Sequence, residues 1–316
     1  MSQRILAVAL NPALDVTHEL GQVDWGGVNR ATRVLMRPGG KGLNVGRVLH
    51  ALGVDVLVMG LLGGRTGDAV AAAYARGGVP AEFMAISSET RRTFVVVDGE
   101  RGQAALFNEP GPAVTAEEYA AFRSRFAAEA GQSAAVVLTG SLPVGVAADV
   151  YAELGGLARQ AGAAVVLDAD GETLRQGLAG RPALVKPNVA ELESVAGRPV
   201  GRDTGAVVDA AEELREAGAG SVVVSLGADG VLAVTDEGVW RSVPPARVGV
   251  NATGAGDAVV AGLVWQTVAG AAWPERLRHA VALGSAAAGA AVAGEFSHRE
   301  YERVLNEVRV GQVEVH

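Results

Sequence analysis

The stretch AVVLTGSLPVGVAADVYAELGGLARQAGAAVVL, residues 135–167, opens and closes on short β-branched runs, Ala135 to Leu138 and Ala164 to Leu167, that carry no polar alternation. Between them, residues 147–161 follow a helical pattern. Strands that are apolar on both faces belong to a parallel sheet covered on both sides, and a helical crossover is what joins two such neighbours. The same alternation extends outward in both directions. Further strand candidates are Ile5 to Leu10, Val54 to Met59, Ala183 to Val185 and Ser221 to Ser225. Helix candidates lie at 43–52, 67–76, 115–129 and 205–217, the third entered through a capping box formed by Thr115 and Glu118. The expectation is an α/β fold with a mainly parallel sheet between two helical layers, binding its ligands at the carboxyl ends of the strands.

Two stretches depart from this rhythm. Residues 13–38 and 91–110 contain the polar–apolar segments Val16 to Leu20, Val28 to Met36, Thr93 to Asp98 and Gln103 to Phe107. They read as a small accessory sheet inserted between αβ units, a lid over the carboxyl edge of the main sheet. No internal repeat or low-complexity linker divides the chain, so residues 1–316 are expected to form one domain.

Composition narrows the functions available. The net charge is −8 and the densest basic cluster is the pair Arg91 and Arg92, which leaves no stripe to neutralise a nucleic-acid backbone. Without cysteine there are no disulfides, thiolate catalysis or thiolate metal sites. His18, His50, His279, His298 and His316 show no ligand spacing and read as packing or surface residues. The apolar run Ile5 to Leu10 is too short for a signal peptide, and the Ala/Gly/Val stretch from Ala280 to Gly294 reads as a buried helix rather than a membrane span. A cytoplasmic location is expected. Low aromatic content beside abundant alanine and glycine suggests a core of small aliphatic side chains and closely approached backbones. Of 27 basic residues only Lys41 and Lys186 are lysine, and both fall inside glycine- or proline-marked motifs.

The strongest chemical signal is Thr253-Gly254-Ala255-Gly256-Asp257 before the apolar helical run Ala258 to Ala269. Glycines at a helix start leave backbone N–H groups free to meet an anion, which the helix dipole also favours. Asp257 is either a base placed beside a bound phosphate or an acidic helix cap. No third glycine follows for a dinucleotide fingerprint, and no Walker A spacing occurs. Arg37-Pro38-Gly39-Gly40-Lys41-Gly42-Leu43-Asn44 combines close backbone approach, a mobile ammonium and an amide suited to hydroxyls, or is a glycine turn with a solvated lysine. Asn11-Pro12-Ala13-Leu14-Asp15 closes the first strand, where a plain turn is the competing reading. Lys186-Pro187-Asn188-Val189-Ala190-Glu191 brings Asn188 and Glu191 within one helical turn, an arrangement fit for ordering a hydrated Mg²⁺. Ser225-Leu226-Gly227-Ala228-Asp229-Gly230 reads as a hairpin-like glycine turn, and Asp168, ending a strand, is either a second Mg²⁺ contact or a loop cap, with the cap the favoured reading.

Taken with Glu89-Thr90-Arg91, Asn108-Glu109-Pro110-Gly111-Pro112 and Thr139-Gly140-Ser141-Leu142-Pro143, the order and spacing of these motifs resemble the ribokinase-like, or PfkB, carbohydrate kinases over nearly the whole chain. The lysine at 41 and the 108–112 segment are similar to the 1-phosphofructokinase and tagatose-6-phosphate kinase branch. The resemblance implies a three-layer αβα sandwich with a β lid, and ATP-dependent phosphorylation of a ketohexose phosphate. Fructose 1-phosphate is the leading acceptor, tagatose 6-phosphate the alternative, and a catalytically silent sugar-phosphate sensor the reading from another class. It also implies Asp257 as base, with Gly254, Ala255 and Gly256 forming an anion hole. Asp15, Gly39, Gly40, Lys41, Asn44, Arg91 and Ser141 would contact the sugar phosphate. ATP would meet Lys186, Asn188, Ser225, Gly227, Gly230, Thr253, Gly254 and Gly256, with Mg²⁺ near Asn188 and Glu191 through water, and a homodimer would form through the lid strands. Two residues depart from the pattern: Ala258 replaces a serine common after Asp257, and Thr93 stands where the branch usually carries asparagine.

Overall fold

Every residue of the first strand, β1 (Ile5–Ala9), is buried in the computed structural model, which describes residues 3–245, 253–290 and 292–314. Successive strand residues point to opposite faces, and here both faces are covered. Ile5, Ala7 and Ala9 enter one hydrophobic cluster, while Leu6, Val8 and Leu10 enter another.

After β1 the chain runs through β2 (Ala13–Leu20), β3 (Arg33–Gly39), α1 (Lys41–Ala51), β4 (Val56–Leu62), α2 (Gly64–Arg76) and β5 (Ala81–Ala85). Next come β6 (Arg91–Asp98), β7 (Gln103–Asn108), α3 (Ala116–Ala130), β8 (Ala135–Thr139), α4 (Val150–Gln160), β9 (Ala164–Asp168) and α5 (Gly171–Gly177). The chain then forms β10 (Leu184–Val185), α6 (Val189–Ala196), α7 (Thr204–Glu216), β11 (Ser221–Ser225), β12 (Val231–Thr235) and β13 (Gly238–Val243). It closes with α8 (Ala255–Val268), α9 (Trp273–Ala288), α10 (His298–Glu307) and β14 (Arg309–Gln312).

The large sheet has the order β14-β13-β12-β11-β10-β9-β8-β1-β4-β5. It is parallel from β5 to β11 and antiparallel from β11 to β14. α1, α2, α8, α9 and α10 cover one face, and α3 to α7 the other. This is the three-layer αβα arrangement. A small sheet, β3-β2-β6-β7, stands apart from it.

Several elements differ from the sequence reading for identifiable reasons. The segment Val28 to Met36 becomes strand only from Arg33, because Asp24 and Asn29 close a side-chain-bonded turn: the Asp24 N–H donates to Asn29 Oδ1 at 2.8 Å, and Asn29 Nδ2 to the Asp24 carbonyl at 2.6 Å. The Ala280 to Gly294 helix begins earlier, at Trp273, with a proline in its first turn, and ends at Ala288. Its Ala280, Ala282, Ala286 and Ala287 pack in the core together with Ala258 and Ala261 of α8, which is the small-residue interior that composition suggested. Among the described residues no helix is long and apolar enough to cross a membrane. His316 and residue 291 lie outside the described residues.

Candidate active site

The chain leaves β1, reaches β4 and β5 on one side, then returns to β8 on the other side of β1. Loops at the carboxyl ends of β1 and β8 therefore diverge and leave a crevice. A cavity of about 1030 Å³ fills it, running below the small sheet and along the ends of β8 to β11 as far as α8 and α9. Asp15, Gly40, Lys41, Asn44, Arg91, Ser141, Lys186, Asn188, Glu191, Ser225, Gly227, Gly230 and Thr253 to Asp257 all line it. Gly39 is not part of the wall. A Cβ at that position would lie 2.2 Å from the Asp15 carboxylate, so the missing side chain makes room for Asp15 across the β2–β3 pair.

At the small-sheet end, Asp15 stands opposite Thr93. Burial raises its pKa, against the charges of Arg47 and Arg91 and a hydrogen bond from Thr93. The departure at Thr93 thus keeps a hydroxyl donor on this carboxylate. Arg91 Nε donates to the Asn11 carbonyl at 3.1 Å, and Asn11 Nδ2 to Ser141 Oγ at 3.0 Å, which binds the ends of β1, β6 and β8 into one rim.

Farther in, charge is concentrated on two carboxylates. Asp168 is buried between both lysines, with Oδ1 3.1 Å from Lys186 Nζ and Oδ2 3.3 Å from Lys41 Nζ, and accepts from Thr139 Oγ1 at 2.9 Å. Burial pushes its pKa up, but Lys186 and Lys41 outweigh that and hold it below the usual carboxylate range. Its side chain binds ammonium groups and a hydroxyl, so the loop-cap reading of Asp168 is corrected. No spacing in the sequence could show this, because Lys41, Thr139 and Lys186 come from three separate elements. Lys41 also approaches Glu191 Oε1 at 3.5 Å. Burial opposes its charge, but Asp168 and then Glu191 and Asp257 raise its pKa, so it stays an ammonium ion.

Asp257, in the first turn of α8, is the second carboxylate. Asn44 Nδ2 donates to its Oδ2 at 2.7 Å. Burial and the Asp168 charge push its pKa up to about 6, with Asn44, Lys41 and Lys186 opposing. Opposite shifts on neighbouring carboxylates separate a permanent anion from a proton acceptor active near neutrality. Gly254 caps this helix at φ +83°, a left-handed conformation that an L side chain rarely adopts. The N–H groups of the first turn have no carbonyl partner within the helix and make an anion site. Lys186 Nζ lies 3.8 Å from the position a Cβ on Gly256 would occupy, so a buried ammonium flanks those amides.

At the far end, Asn188 and Glu191 are committed to each other as the capping box of α6, Asn188 Oδ1 accepting from the Glu191 N–H at 2.9 Å and Glu191 Oε2 from the Asn188 N–H at 2.8 Å. Among the described residues no group of three or more histidine, cysteine or acidic side chains could hold a metal ion. With their oxygens engaged in the cap, Asn188 and Glu191 would meet a divalent cation through water. Ser225 Oγ is buried with no hydrogen-bond partner among the described residues. It lies at the start of the tight turn Leu226–Gly230 joining β11 to antiparallel β12, the hairpin that the glycines suggested.

The sequence of pfkB family carbohydrate kinases matches residues 11–298 of this chain. The 1-phosphofructokinase of Rhodobacter capsulatus is 38% identical over 292 residues, 92% of each chain. That of Escherichia coli K12 is 35% identical over 294 residues, again 92% of each. Among solved structures, phosphofructokinase-2 from Escherichia coli in complex with potassium superposes with a TM-score of 0.91 at 30% identity, covering 97% of this chain and 99% of that one.

Proposed function

Because this chain belongs to the pfkB family of carbohydrate kinases, we propose that it transfers the γ-phosphoryl group of ATP to the free primary hydroxyl of fructose 1-phosphate, giving fructose 1,6-bisphosphate and ADP. The observation that carries this reading is the meeting, in one cavity, of a carboxylate poised near neutrality, a helix N-terminus flanked by a buried lysine, and a polar rim. The rim, Asp15, Asn44, Arg91 and Ser141, holds the sugar phosphate so that its hydroxyl faces Asp257. Asp257 takes the hydroxyl proton as the new O–P bond forms and the bond to the β-phosphate oxygen breaks. The amides of the first turn of α8 and Lys186 face the charge on the transferred group. ATP lies along the ends of β10 and β11, where Ser225 offers a buried hydroxyl and Gly227 and Gly230 keep the wall low. Mg²⁺, when bound, neutralises triphosphate charge, with Asn188 and Glu191 reaching it through water.

The test is a comparison of kcat/KM for fructose 1-phosphate, tagatose 6-phosphate and fructose 6-phosphate, with ADP release as readout. Fructose 1-phosphate should lead by about tenfold or more, a transition-state difference of roughly 1.4 kcal/mol. A lead by tagatose 6-phosphate would reassign the acceptor, and sugar binding without ADP release would make the protein a sensor.

We further propose that the small sheet is a lid that pairs with a second copy. Register places Val34, Met36, Phe94, Val96 and Phe107 on the face opposite Asp15, and Val34, Met36 and Phe107 are exposed. On the same face Phe94, Val96 and Phe107, with Trp25, 71% exposed, line a shallow groove of about 370 Å³. A contiguous exposed patch of this kind fits an isologous partner. The protein should sediment as a dimer, and Met36→Asp/Phe107→Asp should sediment near the 32.1 kDa of one chain. A monomeric parent at micromolar concentration overturns the assignment.

A further inference from the structure

The amide of Asn44 is nearly symmetric in shape, so its hydrogen-bonding neighbours decide which way its oxygen and nitrogen point. On one side is the Asp257 carboxylate, an acceptor, 2.7 Å from Nδ2. On the other is Arg47, one turn along α1, whose Nη2 donates to Asn44 Oδ1. A guanidinium has no acceptor at all. Arg47 therefore admits only the amide oxygen, which turns the nitrogen toward Asp257. Arg47 is itself tied in place, Nη1 donating to the Pro38 carbonyl at 2.8 Å and Nη2 to the Ala293 carbonyl at 3.2 Å. One side chain thus joins β3, the first turn of α1 and the turn after α9.

We propose that Arg47 is a positioning residue for phosphoryl transfer: it fixes the Asn44 amide so that one N–H supports the ionised Asp257 and the other faces the cavity. This rests on Asp257 being the base. Among the described residues, the side chains that act most strongly on Asp257 are Asp168 from β9, Asn44 and Lys41 from α1, and Lys186 from the segment after β10. Arg47 is not among them. It faces Tyr74 of α2, Asp15 of β2, Glu295 and Arg37 of β3. Its hydrogen bond to Asn44 Oδ1 gives it a hold on the amide that the lysines lack, since they act by charge and leave the orientation of Asn44 undetermined.

The test is a double-mutant cycle read by ¹³C titration of the Asp257 carboxyl in the resting enzyme, the signal being assigned by its loss in Asp257→Asn. Arg47→Met frees the amide to flip and should raise the Asp257 midpoint by about one pH unit. Arg47→Lys, which still only donates, should recover at least half of that. In an Asn44→Leu background, where no amide remains to orient, Arg47→Met should move the midpoint by less than about 0.3 unit. An unmoved midpoint in Arg47→Met, or an undiminished shift in the Asn44→Leu background, overturns the proposal. If Arg47→Met does not fold, Arg47→Gln, whose amide can also accept, takes its place in the cycle with the same outcomes. Because the titration needs no turnover, it separates this proposal from the base assignment: a midpoint that moves while the acidic limb of kcat/KM stays fixed shows that Arg47 sets the amide but removes Asp257 as base, and with it the role of Arg47 in phosphoryl transfer.

Discussion

Asp257→Asn should lower kcat by about 10²-fold to 10⁴-fold while leaving the Kd for ATP within about twofold, and should make the protein more stable at pH 8. The first effect follows from loss of the proton acceptor with the amides of α8 and Lys186 left in place. The second follows from burial. The folded pKa of Asp257 is raised from 3.8 to about 6, so its contribution to stability is fully present below the unfolded value and is lost as pH rises through about 6. Above that pH the fold holds an anion it would prefer neutral. Asparagine removes this burden, a gain of roughly 1–3 kcal/mol at pH 8 that vanishes near pH 4. Denaturant melts at the two pH values measure it, and kcat/KM of the parent should fall tenfold per unit below about pH 6. Unchanged turnover refutes the base assignment. A stability gain of equal size at both pH values refutes the electrostatic cause.

Much of the fold was legible because buried parallel strands announce themselves. Val165, Val166 and Leu167, or Val222, Val223 and Val224, form runs that are apolar on both faces and nearly fully buried. Elements stabilised by their neighbours were harder to see. β12 and β13 gain their register from β11 and each other, and β14 is a short, largely exposed edge strand that owes its pairing to β13. α10, His298–Glu307, is mostly polar and buries only Tyr301 and Val304, so its apolar signal is faint although Ser297 caps it by accepting from the Glu300 N–H. The entry of α1 at Lys41, two residues before the apolar pattern begins, is set by Gly40 at φ +106°. That shift puts Lys41 and Asn44 on one turn facing the cavity.

The candidate site was legible where glycine, proline and charge mark a loop, as at 39–44, 186–191 and 253–257. Asp168 and Arg47 were not. Asp168 closes an ordinary apolar strand, and its meaning comes from Lys41 and Lys186, 127 and 18 residues away in opposite directions along the chain. Arg47 lies among many arginines, on a helix face whose contacts arrive from Pro38 and Ala293. Scarcity of lysine did carry information, since both lysines converge on one carboxylate.

That convergence makes Asp168→Asn the most destabilising polar substitution expected in the cavity. Lys186 is only 4% exposed, and Asp168 is its ion-pair partner at 3.1 Å. Removing that carboxylate leaves an ammonium ion buried without its counter-charge, which costs about 3–5 kcal/mol of stability at pH 7.5. Asparagine keeps the volume, so the loss measures charge and not a cavity. Because the folded pKa of Asp168 is depressed, its stabilisation is present above the unfolded value of 3.8 and is lost as pH falls through the lower folded value. Denaturant melts should therefore show the gap between parent and variant closing in acid. Adding Lys186→Met should restore most of the stability at pH 7.5, since both partners of a buried pair can be replaced together at little cost. A gap below about 1 kcal/mol, or no recovery in the double variant, would show that water already reaches this pair. The same substitution acts on the neighbouring acid in the opposite sense to loss of Arg47: without the Asp168 charge, the Asp257 midpoint should move down from about 6, carrying the acidic limb of any residual kcat/KM with it.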